Sequence, residues 1–230
     1  MVIKILSVLL FAFLTAAANY AAYKYVKKKE TEISEYGEDG EAQPVGKLTV
    51  KWAVCFGAVL TVTAIVIGIF IFDRTTSLVN FYKIAFIFAV TDIIAFTDIR
   101  LRLIPNVFTL TLLGGGVVFH LLNIFASGTE SFRQFLIYYL ISAVIVLLIL
   151  CAMSAITHSG MGLGDIKYLC SLCFTGGVLL LLISLTVSLI YSLIYGLALM
   201  IIKKKKMKDT LPFGPFILAG VLTCIVTGLM

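Results

Sequence analysis

Three aspartates stand out, because they fall where an apolar chain has most reason to exclude charge. The chain holds twelve acidic residues, and nine lie in polar segments where they need no special account. Asp92, Asp98 and Asp165 instead lie inside an apolar stretch or at its edge. A charged side chain at mid-bilayer costs on the order of 3 kcal/mol even on gentle insertion scales, so such residues are candidates for function. Asp98 closes one apolar stretch in TDIRLRLIPN, and Asp165 opens another in GMGLGDIKYL. Two helices thus bring two carboxylates to a common depth. Like charges a few ångströms apart share one proton more readily than they both ionise. The unprotonated member can take a proton from water while the protonated one donates to a carbonyl oxygen. That is acid–base hydrolysis of a peptide bond, with neither metal nor covalent intermediate.

Asp92 fits this pattern less well. It lies six residues before Asp98, about 9 Å deeper and some 120° around a helix. The expectation is a structural partner for a buried hydroxyl or for Lys83. Gly160, Gly162 and Gly164 allow positive φ and close backbone approach beside Asp165. The run lacks the spacing and the Ser or Thr of a phosphate-binding loop.

The elements that must position these groups follow from composition. Of 230 residues, 61% are hydrophobic and 13% charged, and the mean hydropathy is +1.10. Soluble domains are nearer 45–50% apolar and about 25% charged. With 4 Pro, 18 Gly and 5 scattered Cys, collagen-like and disulfide-scaffold classes fall away too. The apolar runs are continuous, not alternating, so the class expected is an all-α polytopic membrane protein.

Apolar stretches occur at about 5–23, 52–72, 78–97, 107–126, 135–156, 166–180, 181–202 and 211–230, giving about eight spans. Treated as one helix, 166–202 would be about 55 Å long against a ~30 Å hydrocarbon core. A turn at Gly176-Gly177 is therefore expected, leaving a short sixth helix. Lys4 and Ala16-Ala17-Ala18 resemble parts of a secretory signal, but the cluster Lys27-Lys28-Lys29 follows the apolar run, which favours a retained anchor. With the N-terminus outside, fourteen of the 18 Lys and Arg fall in the inner loops 24–51, 98–106, 157–167 and 203–210. That is a positive-inside bias, and it accounts for the net charge of +6 without nucleic acid. Lys203–Lys206 suits anionic lipid at the membrane surface. The loop 24–51 reads as a solvated linker of mixed charge.

Three segments together resemble the type IV prepilin peptidases, membrane aspartyl proteases of the GxGD type. They are DIRLRLIPN at 98–106, GLGDIK at 162–167 and LPFGPFILAG at 211–220. The likeness runs over about 78–230, within what reads as one membrane domain. It implies catalytic roles for Asp98 and Asp165, and a prepilin or pseudopilin substrate with a short basic leader, cut at the cytoplasmic face of a prokaryotic inner membrane. Gly162, Gly164, Lys167, Pro105 and Asn106 are then expected to bind substrate or shape the loops. Pro212, Phe213, Gly214 and Pro215 are expected to shape a substrate groove, since Pro and Gly interrupt helices where they line cavities.

Many bacterial members carry paired Cys-x-x-Cys zinc ligands, linked to N-methylation, between the first two spans. Here 24–51 contains no Cys, so no metal, no cofactor and no methyl transfer are expected. Cys170 and Cys173 read as packing residues, and Cys55, Cys151 and Cys224 as inert thiols. His158 is placed either to tune the acid pair or simply to meet solvent, and His120 reads as structural. Arg100, Arg102 and Lys167 suit either carboxylate tuning or anchoring, and Gly114-Gly115-Gly116 suggests close helix packing. Two other readings stay open. One is a presenilin- or signal-peptide-peptidase-like protease, supported by GLGD. The other is a proton-coupled carrier using Asp92, Asp98 and Asp165 as a relay.

Overall fold

The computed structural model describes residues 2–35, 57–59, 61–66, 68–69, 77–156, 162–202 and 211–228. Among these there are eight α-helices and one π-helical segment and no strand. They are α1 (Val2–Glu35), α2 (Leu78–Leu101), α3 (Asn106–Ser127), α4 (Thr129–Gln134), a π-helical run (Phe135–Ile141), α5 (Ser142–Ile156), α6 (Leu163–Gly176), α7 (Val178–Ile201) and α8 (Gly214–Thr227). The described residues within 57–69 are also helical and pack on α1, where a Cβ at Gly68 would lie 3.1 Å from the Phe11 ring. The all-α membrane class is borne out. Four of these helical runs, Ile5–Thr31, Asn106–Ala126, Phe132–Ile156 and Val178–Ile201, are long and apolar enough to cross a membrane.

α2 is the centre of the bundle, in contact with α1, α3, α6 and α8. The reason lies in its composition. It carries Lys83, Asp92 and Asp98 among apolar residues, and a helix with such groups is cheaper inside protein than against lipid. From Ile87 to Asp98 every residue is buried. Thr91 and Thr97 donate to carbonyls one turn back within the same helix, which satisfies hydroxyls that have no water. Leucines, isoleucines and valines of α3, α5 and α7 cover the outside and are exposed, as expected of surfaces solvated by lipid.

The first helix departs from its sequence boundary. It was expected to end at residue 23 and give way to a loop, yet it continues to Glu35. Ala22 and Val26, one turn apart, are fully buried against Ile93, Phe96 and Leu101, and Tyr25 meets Phe108 edge-on at 5.3 Å. Tertiary packing on α2 thus carries α1 past its apolar run. The rest of the expected loop lies outside the described residues. The boundary at Gly176-Gly177 falls where the length argument put it. Gly177 has φ 92°, a conformation open to glycine, and a Cβ there would lie 2.9 Å from Tyr138. α6 has 14 residues, about 21 Å, so it is short as expected.

Helices approach closely through glycine. A Cβ at Gly115 would overlap the Phe86 ring, and one at Gly116 would lie 2.5 Å from Thr175 Oγ1. Thr175 donates to the Leu112 carbonyl at 2.9 Å, linking α6 to α3. Gly114, by contrast, faces open space, so the expectation of close packing holds for two of the three glycines. At Gly220 of α8 a Cβ would overlap the Ser184 carbonyl oxygen of α7. Backbone cannot swing aside as a side chain can. Gly220→Ala is therefore expected to lower unfolding stability in detergent by about 2 kcal/mol, read as a lower Tm. An unchanged Tm would show that α7 and α8 separate freely.

Candidate active site

α2 ends in a left-handed turn. Arg102 has φ 49° and ψ 36°, and its N–H donates to the Asp98 carbonyl at 3.0 Å. Leu103, Ile104 and Pro105 then form a short connection, and Pro105 stands just before α3 with φ −68°. Asp98 is consequently in the last turn of α2, with 6% of its surface exposed. A helix C-terminus disfavours negative charge. The compensation comes from another helix, because the Gly214 N–H at the start of α8 donates to Asp98 Oδ2 at 2.6 Å. Glycine suits this close approach, since a Cβ would lie 3.1 Å from both Cβ and Oδ2 of Asp98.

Asp165 occupies the third position of α6, behind Gly162 as N-cap. An acid at this position reaches back to the N-cap amide, and the Gly162 N–H is its backbone donor. α6 rests on the α2–α3 connection. A Cβ at Gly164 would lie 3.3 Å from Ile104 Cβ, so the two segments meet closely there.

Asp98 and Asp165 line one cavity of about 660 Å³. Pro105, Asn106, Gly162, Gly164 and Lys167 line it as well, so seven of the eleven sequence-selected site residues converge. Lys167 Nζ donates to Asn106 Oδ1 at 3.2 Å. Pro212, Phe213, Gly214 and Pro215 are not among the lining residues. Their segment contacts Asp98 through the Gly214 amide. Burial raises Asp98 above the ordinary carboxylate range, while the Gly214 and Phe213 amides and Arg102 pull it back. Burial, and then the Asp98 charge, push Asp165 up to about 6, against the Gly162 amide.

Sequence reasoning missed the contribution of α1, whose Tyr25 and Lys29 also line the cavity. The signal available was helical spacing, since Ala22, Val26 and Lys29 share a face. It also missed Tyr168, fully buried within electrostatic reach of both acids and one turn after Asp165. Asp92 is fully buried on α2. Its carboxylate oxygens have no hydrogen-bond partner among the described residues, and the Asn19 side chain of α1 stands beside it. The expected link to Lys83 is not made, because Lys83 Nζ reaches Tyr139 Oη at 3.4 Å. His120 has its ring nitrogen 2.8 Å from the Phe174 carbonyl, among the rings of Phe135, Tyr139 and Phe174. Cys173 is buried with Sγ 3.7 Å from Ser142 Oγ, and Cys170 is half-buried. His158 and Gly160 lie outside the described residues.

Residues 84–197 match the family model of the type IV leader peptidases. This stretch, close to half of the chain, is similar to the type IV leader peptidase family. The chain is 32% identical over 139 residues to a prepilin leader peptidase/N-methyltransferase of Bacillus subtilis (strain 168), covering 59% of this chain and 52% of that protein. The chain thus matches about half the length of this curated relative. No solved structure matches. Both aspartates of the cavity fall within the family match, whereas Gly214 lies beyond it.

The raised Asp165 has a cost in stability. Between the ordinary value of 3.8 and about 6, the folded chain keeps a proton that the unfolded chain releases. The destabilisation therefore grows as pH rises through that window and is complete above it. Asp165→Asn removes it. The variant is expected to be about 2 kcal/mol more stable than the parent at pH 7, after discounting for partial exposure, and equal to it near pH 4. Thermal unfolding in detergent at the two pH values checks this, and no gain at pH 7 would contradict it.

Proposed function

We propose that this protein is an aspartyl endopeptidase that removes the basic leader from type IV prepilins or pseudopilins at the cytoplasmic face of a prokaryotic inner membrane. The observation that carries the reading is the convergence of Asp98 and Asp165 on one cavity, each at a helix end and each partly desolvated. The family match over residues 84–197 supports peptidase chemistry. The excess of Lys and Arg in the loops at this end of the chain supports a cytoplasmic site and an N-terminus outside.

In this reading the pair holds one proton. Asp98, which accepts the Gly214 N–H and lies near Arg102, is the member held ionised, and it takes a proton from the attacking water. Asp165 carries the shared proton and donates it to the scissile carbonyl oxygen as the tetrahedral intermediate forms. The proton now on Asp98 then passes to the leaving amine as the C–N bond breaks, Asp165 takes back a proton from a hydroxyl of the tetrahedral intermediate as the new carboxyl group forms, and the pair returns to its starting state. The substrate's apolar helix stays in the membrane while the bond before it enters the cavity. A carrier would need Asp92 on a polar path to the pair, yet Asp92 is absent from the cavity lining.

Asp98→Asn and Asp165→Asn are each expected to lower kcat for prepilin cleavage by about 10³-fold or more, with the leader's release followed on gels. Cleavage at the parent rate by either variant sinks the mechanism.

The absence of Cys from residues 24–51 supports a peptidase without methyl transfer. The purified chain, given prepilin and S-adenosylmethionine, is expected to release leader and leave the new N-terminus unmethylated. Methyl transfer detected by mass spectrometry would contradict this.

A further inference from the structure

A second cavity, of about 610 Å³, runs beside the first between α3, α6 and the helical run 135–156. Its walls are apolar. Leu113 and Val117 come from α3, Val144 and Leu147 from α5, and Phe174 from α6. The α3 and α5 residues are each roughly half-exposed, so the groove opens sideways into the region that lipid would occupy. At one end the character changes. Asn106 and Lys167, joined by their hydrogen bond, line this groove and the acid cavity alike. From Asn106 to Val117 the groove follows α3 for about 16 Å, three turns of helix.

The geometry points to this groove as the docking site for the apolar helix of the substrate, which lies against α3 and α5 with its N-terminal end at Asn106 and Lys167. The inference rests on the prepilin peptidase reading, and it fixes the side of the bundle from which substrate enters. Continuity decides the occupant. A helix seated here delivers the residue preceding it directly past the Asn106–Lys167 junction to Asp98 and Asp165. Helix-in-groove recognition of this kind uses anchors spaced at i, i+3 and i+7, and Leu110, Leu113 and Val117 offer that spacing on the facing wall. A lipid acyl chain has the same polarity, but nothing about it requires the groove to open into the acid cavity.

The test uses the full chain with Leu113→Trp or Val117→Trp, which fill the groove from a lipid-facing position, and Val118→Trp as a control outside it. Two substrates are compared, a prepilin with its whole apolar helix and a leader peptide truncated shortly after the scissile bond. The groove variants are expected to raise KM for the helix-bearing substrate by about tenfold with little change in kcat. They are expected to leave kcat/KM for the short peptide within about twofold of the parent. Val118→Trp is expected to alter neither. An unchanged KM for the helix-bearing substrate overturns the proposal. An equal loss on both substrates also overturns it, and indicates a groove filled by lipid that supports the fold. If the parent chain cleaves neither substrate, the peptidase reading itself has failed. The groove is then decided by photocrosslinking from benzoylphenylalanine at position 113 to the isolated apolar helix in vesicles, and absence of a crosslink overturns it.

Discussion

The hydrogen bond from the Gly214 amide to the Asp98 carboxylate, buried and joining residues 116 apart in sequence, sets the conditions for the rest of the site. Asp98 sits in the last turn of α2, where the helix dipole and the surrounding apolar core both act against its charge. The first amides of α8 supply what α2 withholds. The donor is backbone, and the space beside it is narrow, since a Cβ at Gly214 would lie 3.1 Å from Asp98 Cβ and 3.3 Å from Ala95 Cα. The consequence extends beyond Asp98. Asp98, held by α8, lines the same cavity as Asp165, and its charge adds to burial in raising Asp165.

Close approach of helices makes that arrangement possible. Lipid gives no hydrophobic drive for helix association, so packing in a membrane depends on small residues and interhelical hydrogen bonds. Gly220 lets α8 lie against the backbone of α7, Gly116 and Thr175 fasten α6 to α3, and Gly164 seats α6 on Ile104. Each contact fixes a helix that carries or supports an acid. His120 belongs to the same framework, clasping α3 to α6 through the Phe174 carbonyl. Its burial among aromatic rings explains its place without a part in catalysis.

The polar groups at this end divide into two sets. Asp98, Asp165, Lys167 and Asn106 face the acid cavity, with Tyr25 and Lys29 of α1 added across it. Asp92 and Asn19 lie apart, in the contact between α1 and α2. Asp92 is the more buried of the two acids on α2, and what distinguishes Asp98 is its place on the cavity wall.

Much of this protein was readable in its sequence. Composition dictated an all-helical membrane class, because continuous apolar runs with so little charge have no other stable form. The length limit of a bilayer forced a turn at Gly176-Gly177, and the positions of Asp98 and Asp165 at the ends of apolar runs put both at one depth. These features are local, set by hydropathy, helix rise and glycine's backbone freedom. Tertiary structure decided the rest. α1 extends to Glu35 because Ala22 and Val26 pack on α2, a contact that hydropathy along the chain does not register. Lys83 turns to Tyr139 and not to Asp92, and the Gly214 amide at the start of α8 reaches across to Asp98. Each outcome depends on which helices are neighbours and how they are rotated. Apolar stretches of similar hydropathy do not encode that choice; the fit of side chains between packed helices does.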